Sequence, residues 1–102
     1  MSSGLKIAVL GAGNMGAALI GGILKTGVAQ RERVWATVRS EERAAEVASR
    51  FSIRATAGCN PEAAREADLI VLAVKPATLP KVLKEIRDVL RDEQILLSLA
   101  AA

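Results

Sequence analysis

Three glycines carry the first chemical signal in this chain. The segment Gly11-Ala12-Gly13-Asn14-Met15-Gly16 reads G-x-G-x-x-G. It follows an apolar run, Leu5 to Leu10, and opens a helical pattern. In that setting each glycine has a task. Gly11 permits the tight turn out of a strand. Gly13 lets the backbone approach a diphosphate, and Gly16 lets the helix lie close to the strand. The loop amides and the positive end of the helix dipole would hold the anion. The bland alternative is a glycine turn with no ligand; the flanking strand and helix favour the dinucleotide. No G-K-[ST] follows the loop, which excludes a phosphate-loop nucleotide hydrolase.

Two further segments refine this chemistry. NAD-binding proteins usually place an acid after the second strand, where it bonds the ribose 2′-hydroxyl. Here that position reads Val38-Arg39-Ser40. Arg39 can pair with a 2′-phosphate, and Ser40 can donate to it from a helix start. NADP(H) is therefore expected, with NAD(H) less favoured. The alternative makes Arg39 a solvated surface residue and Ser40 only a cap, with Glu41 and Glu42 close by. The second segment is Ala73-Val74-Lys75-Pro76, at the end of a long apolar run. In an open α/β sheet ligands sit beyond the carboxyl ends of the strands, at the switch point. Lys75 would lie near the nicotinamide half, with Pro76 as a rigid ledge. Taken alone, the segment also reads as a strand end, a solvated lysine and a turn proline. Cys59 and Met15 read as packing residues.

The elements that must position these segments alternate along the chain. Leu5 to Leu10, Val34 to Val38, Asp68 to Val74 and Gln94 to Leu99 are short apolar runs, suited to strands buried on both faces. Ile53 to Thr56 is more polar and suits an edge. Between them the period turns helical. Met15 to Thr26 places Ala18, Leu19, Gly22 and Ile23 on one face, with Gly27 as the C-cap. Ser40 caps a helix to about Arg50, with Ala44, Val47, Ala48 and Phe51 inward. Asn60 and Pro61 form an N-cap and first-turn pair for a helix to about Glu66. Thr78 caps the last helix, with Leu79, Val82, Leu83, Ile86, Val89 and Leu90 at helical spacing. This alternation predicts an α/β, doubly wound parallel sheet of the Rossmann type. It has five strands in the order 3-2-1-4-5, with helices on both faces.

Composition narrows the function classes. The 102 residues make one small domain, residues 1–102, with 51% hydrophobic residues but only Trp35 and Phe51 aromatic. Alanine supplies much of the rest, which implies layers packed through small side chains. The chain has no histidine, so a histidine-based triad or metal cluster is excluded. A single cysteine excludes an internal disulfide and a cysteine-based zinc site, and is consistent with a cytoplasmic protein. The net charge of +3 is scattered, which favours an anionic small molecule over nucleic acid. No apolar run reaches the length of a membrane span. The chain ends directly after the last strand, which reads as a fragment of a longer protein.

These residues resemble the N-terminal domain of pyrroline-5-carboxylate reductase. The likeness rests on Lys6-Ile7-Ala8-Val9-Leu10 with the glycine loop, on Ala73-Val74-Lys75-Pro76, and on Leu97-Ser98-Leu99-Ala100-Ala101. It implies an enzyme that reduces the ring imine of 1-pyrroline-5-carboxylate to L-proline with NAD(P)H, usually NADPH. It places the diphosphate on Leu10, Gly11, Ala12, Gly13, Asn14 and Met15, with Gly16 closing the motif. The adenosine phosphate falls on Val38, Arg39 and Ser40, and the adenosine on Asn60. The nicotinamide falls on Ala73, Val74, Lys75 and Pro76, and on Leu99, Ala100 and Ala101. No catalytic residue and no metal ligand follow from it. The family usually has glycine where Ala102 stands. Its helical C-terminal domain, which builds the substrate pocket and the dimer, has no counterpart in these residues. Cofactor binding without turnover is therefore expected of these 102 residues. So is self-association through the apolar last strand at the sheet edge. A different class remains open: a stand-alone dinucleotide-binding or regulatory module without catalysis.

Overall fold

A computed structural model of the chain describes residues 4–99. Five parallel strands form one sheet: β1 (Ile7–Leu10), β2 (Val34–Val38), β3 (Arg54–Ala57), β4 (Leu69–Leu72) and β5 (Ile95–Ser98). Their order is β3-β2-β1-β4-β5, as the alternation predicts. Four helices make the crossovers: α1 (Asn14–Thr26), α2 (Glu41–Phe51), α3 (Asn60–Glu66) and α4 (Leu79–Ile86). In β1, β2 and β4 apolar side chains alternate between the two sheet faces, so both faces need covering. On one face Ile7, Val9, Val34, Ala36, Val38 and Val71 form a core with Ile20 and Ile23 of α1 and Ala44 and Val47 of α2. On the other face Ala8, Leu10, Trp35, Ile70 and Leu72 meet Ala63 and Ala64 of α3 and Val82 and Ile86 of α4.

Several local readings change. In α1 the buried residues are Gly16, Ala17, Ile20 and Ile23, while Ala18 and Gly22 face solvent. Close approach at Gly16 rotates the helix: a Cβ there would stand 3.2 Å from the Cβ atoms of both Ala12 and Ala73. Met15, read as packing, is 58% exposed because this rotation turns it outward. Cys59, also read as packing, is exposed and holds the N-cap position of α3 with φ 72°. Asn60 is therefore the first helical residue and not the cap. Thr78 caps nothing with its side chain; it already has helical torsions, and its N–H donates to Lys75 O at 2.9 Å. The last helix is α only to Ile86. It then tightens into a 3₁₀ turn, Arg87–Val89, that keeps Val89 against the core.

The entry to β5 is fixed by polar contacts with the carboxyl end of α3. Gln94 Nε2 donates to Ala64 O and Ala67 O, both at 2.7 Å. Arg91 donates to Arg65 O and to Ala67 O. These donors satisfy carbonyls that a short helix leaves without partners. β5 itself is exposed along its length, with Ile95 at 63% and Leu97 at 46%.

Candidate functional site

The carboxyl ends of β1, β2 and β4 open onto one groove of about 690 Å³. β1 and β4 are adjacent, although β2, β3 and three α-helices separate them in sequence. This is the switch point, where the crossovers leave in opposite directions and the loops part. The loop after β1 turns at Gly11, which has φ 80°. A Cβ there would lie 2.2 Å from Val74 Cγ1, so both torsion and space demand glycine. Gly11 N–H donates to Thr37 O at 2.9 Å, and Ala12 N–H to the same oxygen at 2.8 Å. Gly13 follows as the N-cap of α1, and a Cβ on it would meet nothing within 4 Å. The space above Gly13 is open to the groove and backed by a helix N-terminus.

At the end of β2, Arg39 and Ser40 are exposed on the groove wall. Ser40 caps α2, its Oγ accepting from Arg43 N–H at 3.1 Å. The hydroxyl hydrogen is not used in that bond, so capping and donation to an anion are compatible. Arg43 lines the same wall and pairs with Glu46 at 3.0 Å. Across the groove stand Lys75 and, on α4, Lys81 and Glu85. Four cations and one acid thus line a groove whose floor is backbone and small side chains. Such a lining suits an anionic, phosphate-bearing ligand.

Of the residues singled out by sequence, Gly11, Ala12, Gly13, Val38, Arg39, Ser40, Asn60, Ala73, Val74 and Lys75 line this groove. Leu10 and Gly16 are buried behind the loop and shape it. Asn14, Met15 and Pro76 are exposed outside the lining. Leu99 packs against the core on the α1 side. Ala100 and Ala101 lie outside the described residues. Sequence reasoning passed over Thr37, Arg43, Lys81 and Glu85. Thr37 is the one polar residue among the buried described ones. Its signal was a hydroxyl inside the apolar run Val34 to Val38, one residue before the groove. Arg43 could be found as the first-turn partner of the Ser40 cap.

The fit to a dinucleotide therefore rests on the groove itself: open space over Gly13, small floor residues and cationic walls. Comparison with known proteins agrees with this fold. Pyrroline-5-carboxylate reductase of Escherichia coli (strain K12) is 36% identical over 96 residues, 94% of this chain and 35% of the relative. The structure of a pyrroline-5-carboxylate reductase from Coxiella burnetii matches with a TM-score of 0.84 and 30% identity, covering 95% of this chain and 36% of that one. The crystal structure of Plasmodium falciparum pyrroline carboxylate reductase with NADP bound matches with a TM-score of 0.76 and 30% identity, covering 92% and 32%. The chain thus spans about a third of the length of these relatives. The family described as "NADP oxidoreductase coenzyme F420-dependent" matches residues 6–102, and the chain belongs to it.

Proposed function

We propose that this chain is the NADP(H)-binding domain of an imine reductase that converts 1-pyrroline-5-carboxylate to L-proline. One observation carries the cofactor choice. The wall after β2 presents Arg39, Ser40 and Arg43 where an NAD-binding protein places an acid. Gly11, Ala12 and Gly13 would hold the diphosphate, and Asn60 the adenosine side. Ala73, Val74 and Lys75 would border the nicotinamide. When bound, the reduced nicotinamide supplies the hydride, and the domain's own residues orient it and keep water from one face. The relatives' names support an imine substrate over the coenzyme F420 named in the family description. The relatives are about three times as long as this chain, which supports a substrate pocket completed by residues beyond these 102. We place the protein in the cytoplasm, acting on small molecules as a homo-oligomer. Among the described residues no helix is long and apolar enough to cross a membrane.

Calorimetric titration with NADPH and NADH tests the proposal. NADPH is expected to bind more tightly by roughly ten- to a hundredfold, the worth of a charge-assisted contact. Arg39→Ala should narrow the gap. Equal affinities in the parent chain would overturn the assignment of the cofactor. Turnover of the imine with NADPH, followed in a longer protein that carries this domain, tests the substrate.

A further inference from the structure

Thr37 is buried to 2% exposure behind the glycine loop, yet its hydroxyl is fully used. It accepts the longer branch, 3.1 Å, of a bifurcated bond from Gly11 N–H, whose 2.9 Å branch goes to Thr37 O, and it donates to Asn60 Oδ1 at 2.5 Å. Asn60 Nδ2 donates to Glu85 Oε1 at 2.8 Å. Three hydrogen bonds therefore run from the glycine loop, through β2 and α3, to α4.

The direction of this chain has one origin. A hydroxyl and a primary amide can each donate or accept, but an ionised carboxylate only accepts. Glu85 thus demands the NH₂ of Asn60, which turns Oδ1 toward Thr37. Thr37 must then give its hydrogen to that oxygen, leaving a lone pair for Gly11 N–H. A donor in place of Glu85 would flip the amide. Thr37 Oγ1 would then face two donors, and its buried hydroxyl hydrogen would lose its acceptor.

We infer that Glu85 is a positioning residue for the dinucleotide: it orients the Asn60 amide and, through Thr37, holds the Gly11 amide in the turned loop. This rests on reading the groove as a dinucleotide site. It also runs against simple electrostatics. Glu85 is the one acid among four cations in the groove lining. By charge alone, its removal would tighten an anionic ligand. By the hydrogen-bond chain, its removal weakens the ligand.

The test compares Glu85→Ala, Glu85→Gln and Glu85→Lys in the full chain. NADPH affinity is measured by calorimetry, the Gly11 amide by ¹⁵N–¹H resonance and exchange, and folding by circular dichroism. Glu85→Ala should weaken NADPH roughly three- to tenfold and move the Gly11 resonance. Glu85→Gln can turn its own carbonyl toward Asn60 while losing the negative charge, and should bind at least as tightly as the parent does. Glu85→Lys, despite its added positive charge, should bind more weakly than Glu85→Gln. Unchanged or tighter binding by Glu85→Ala with the Gly11 resonance unmoved would overturn the inference. A parent chain that binds no NADPH would instead refute the dinucleotide reading. The Gly11 resonance across the three variants would then still decide whether Glu85 directs the chain.

Discussion

At the scale of single residues the three loop glycines do different work, and the structure separates them. Gly11 is required by its φ of 80° and by Val74 beside it, and Gly16 by the close approach of α1 to Ala12 and Ala73. Gly13 is required by neither, since a Cβ there meets nothing within 4 Å. On the proposed reading its reason lies in the ligand. Gly13→Val is therefore expected to fold, losing at most about 1 kcal/mol at the helix cap. Its NADPH affinity should fall at least roughly tenfold, because the branched side chain fills the diphosphate space. Thermal unfolding and titration on the same sample check both parts. A folded variant with parental affinity would move the diphosphate elsewhere. Sequence alone assigned the turn to Gly11 and the close packing to Gly16, as the structure has them. It could not show that Gly13 stands over open space, because that depends on how far α4 and the β2 loop stand back.

At the scale of elements, the start of α2 combines a helix cap with a wall of the groove. Ser40 Oγ accepts from Arg43 N–H, which holds the first turn and the Arg43 backbone in place. Ser40→Ala should lower stability by about 1 kcal/mol, the usual worth of such a cap. Ser40→Asp separates the two duties, because aspartate caps as well as serine does. It should keep the parental unfolding temperature within a few degrees. It should also bind NADPH more weakly while leaving NADH largely unaffected, because its charge repels a 2′-phosphate. If both cofactors weaken alike, Ser40 does not face the 2′ position. The cap was legible from Ser40 before a helical pattern. The polar latch of Arg91 and Gln94 onto α3 was not. It joins residues 24 to 30 apart whose meeting depends on where β4 places the chain.

At the scale of the whole molecule, the sheet has two edges of different character. β3 carries Arg54 and Thr56, and Arg54 stacks over the Trp35 ring with its guanidinium carbon 3.5 Å from the centroid. β5 carries Ile95, Leu96 and Leu97, exposed by 63%, 43% and 46%. Long apolar edges invite pairing with another chain. These residues are expected to self-associate with rising concentration, most simply as a dimer through β5. Leu97→Lys should shift the equilibrium to monomer with little loss of stability, since Leu97 is half-exposed already. Sedimentation across a concentration series, with unfolding followed in parallel, checks this; a parent chain monomeric at every concentration would defeat it. The strand order, the glycine loop and the Arg39-Ser40 pair were determined by the sequence itself, because local period, torsional demand and charge type are written in consecutive residues. The inward face of α1, the exposure of Met15 and Cys59, and the link from Gly11 through Thr37 and Asn60 to Glu85 were decided only by tertiary structure. Each depends on distances between segments far apart in the chain, and on how closely a helix can approach a sheet where the side chains between them are glycine and alanine.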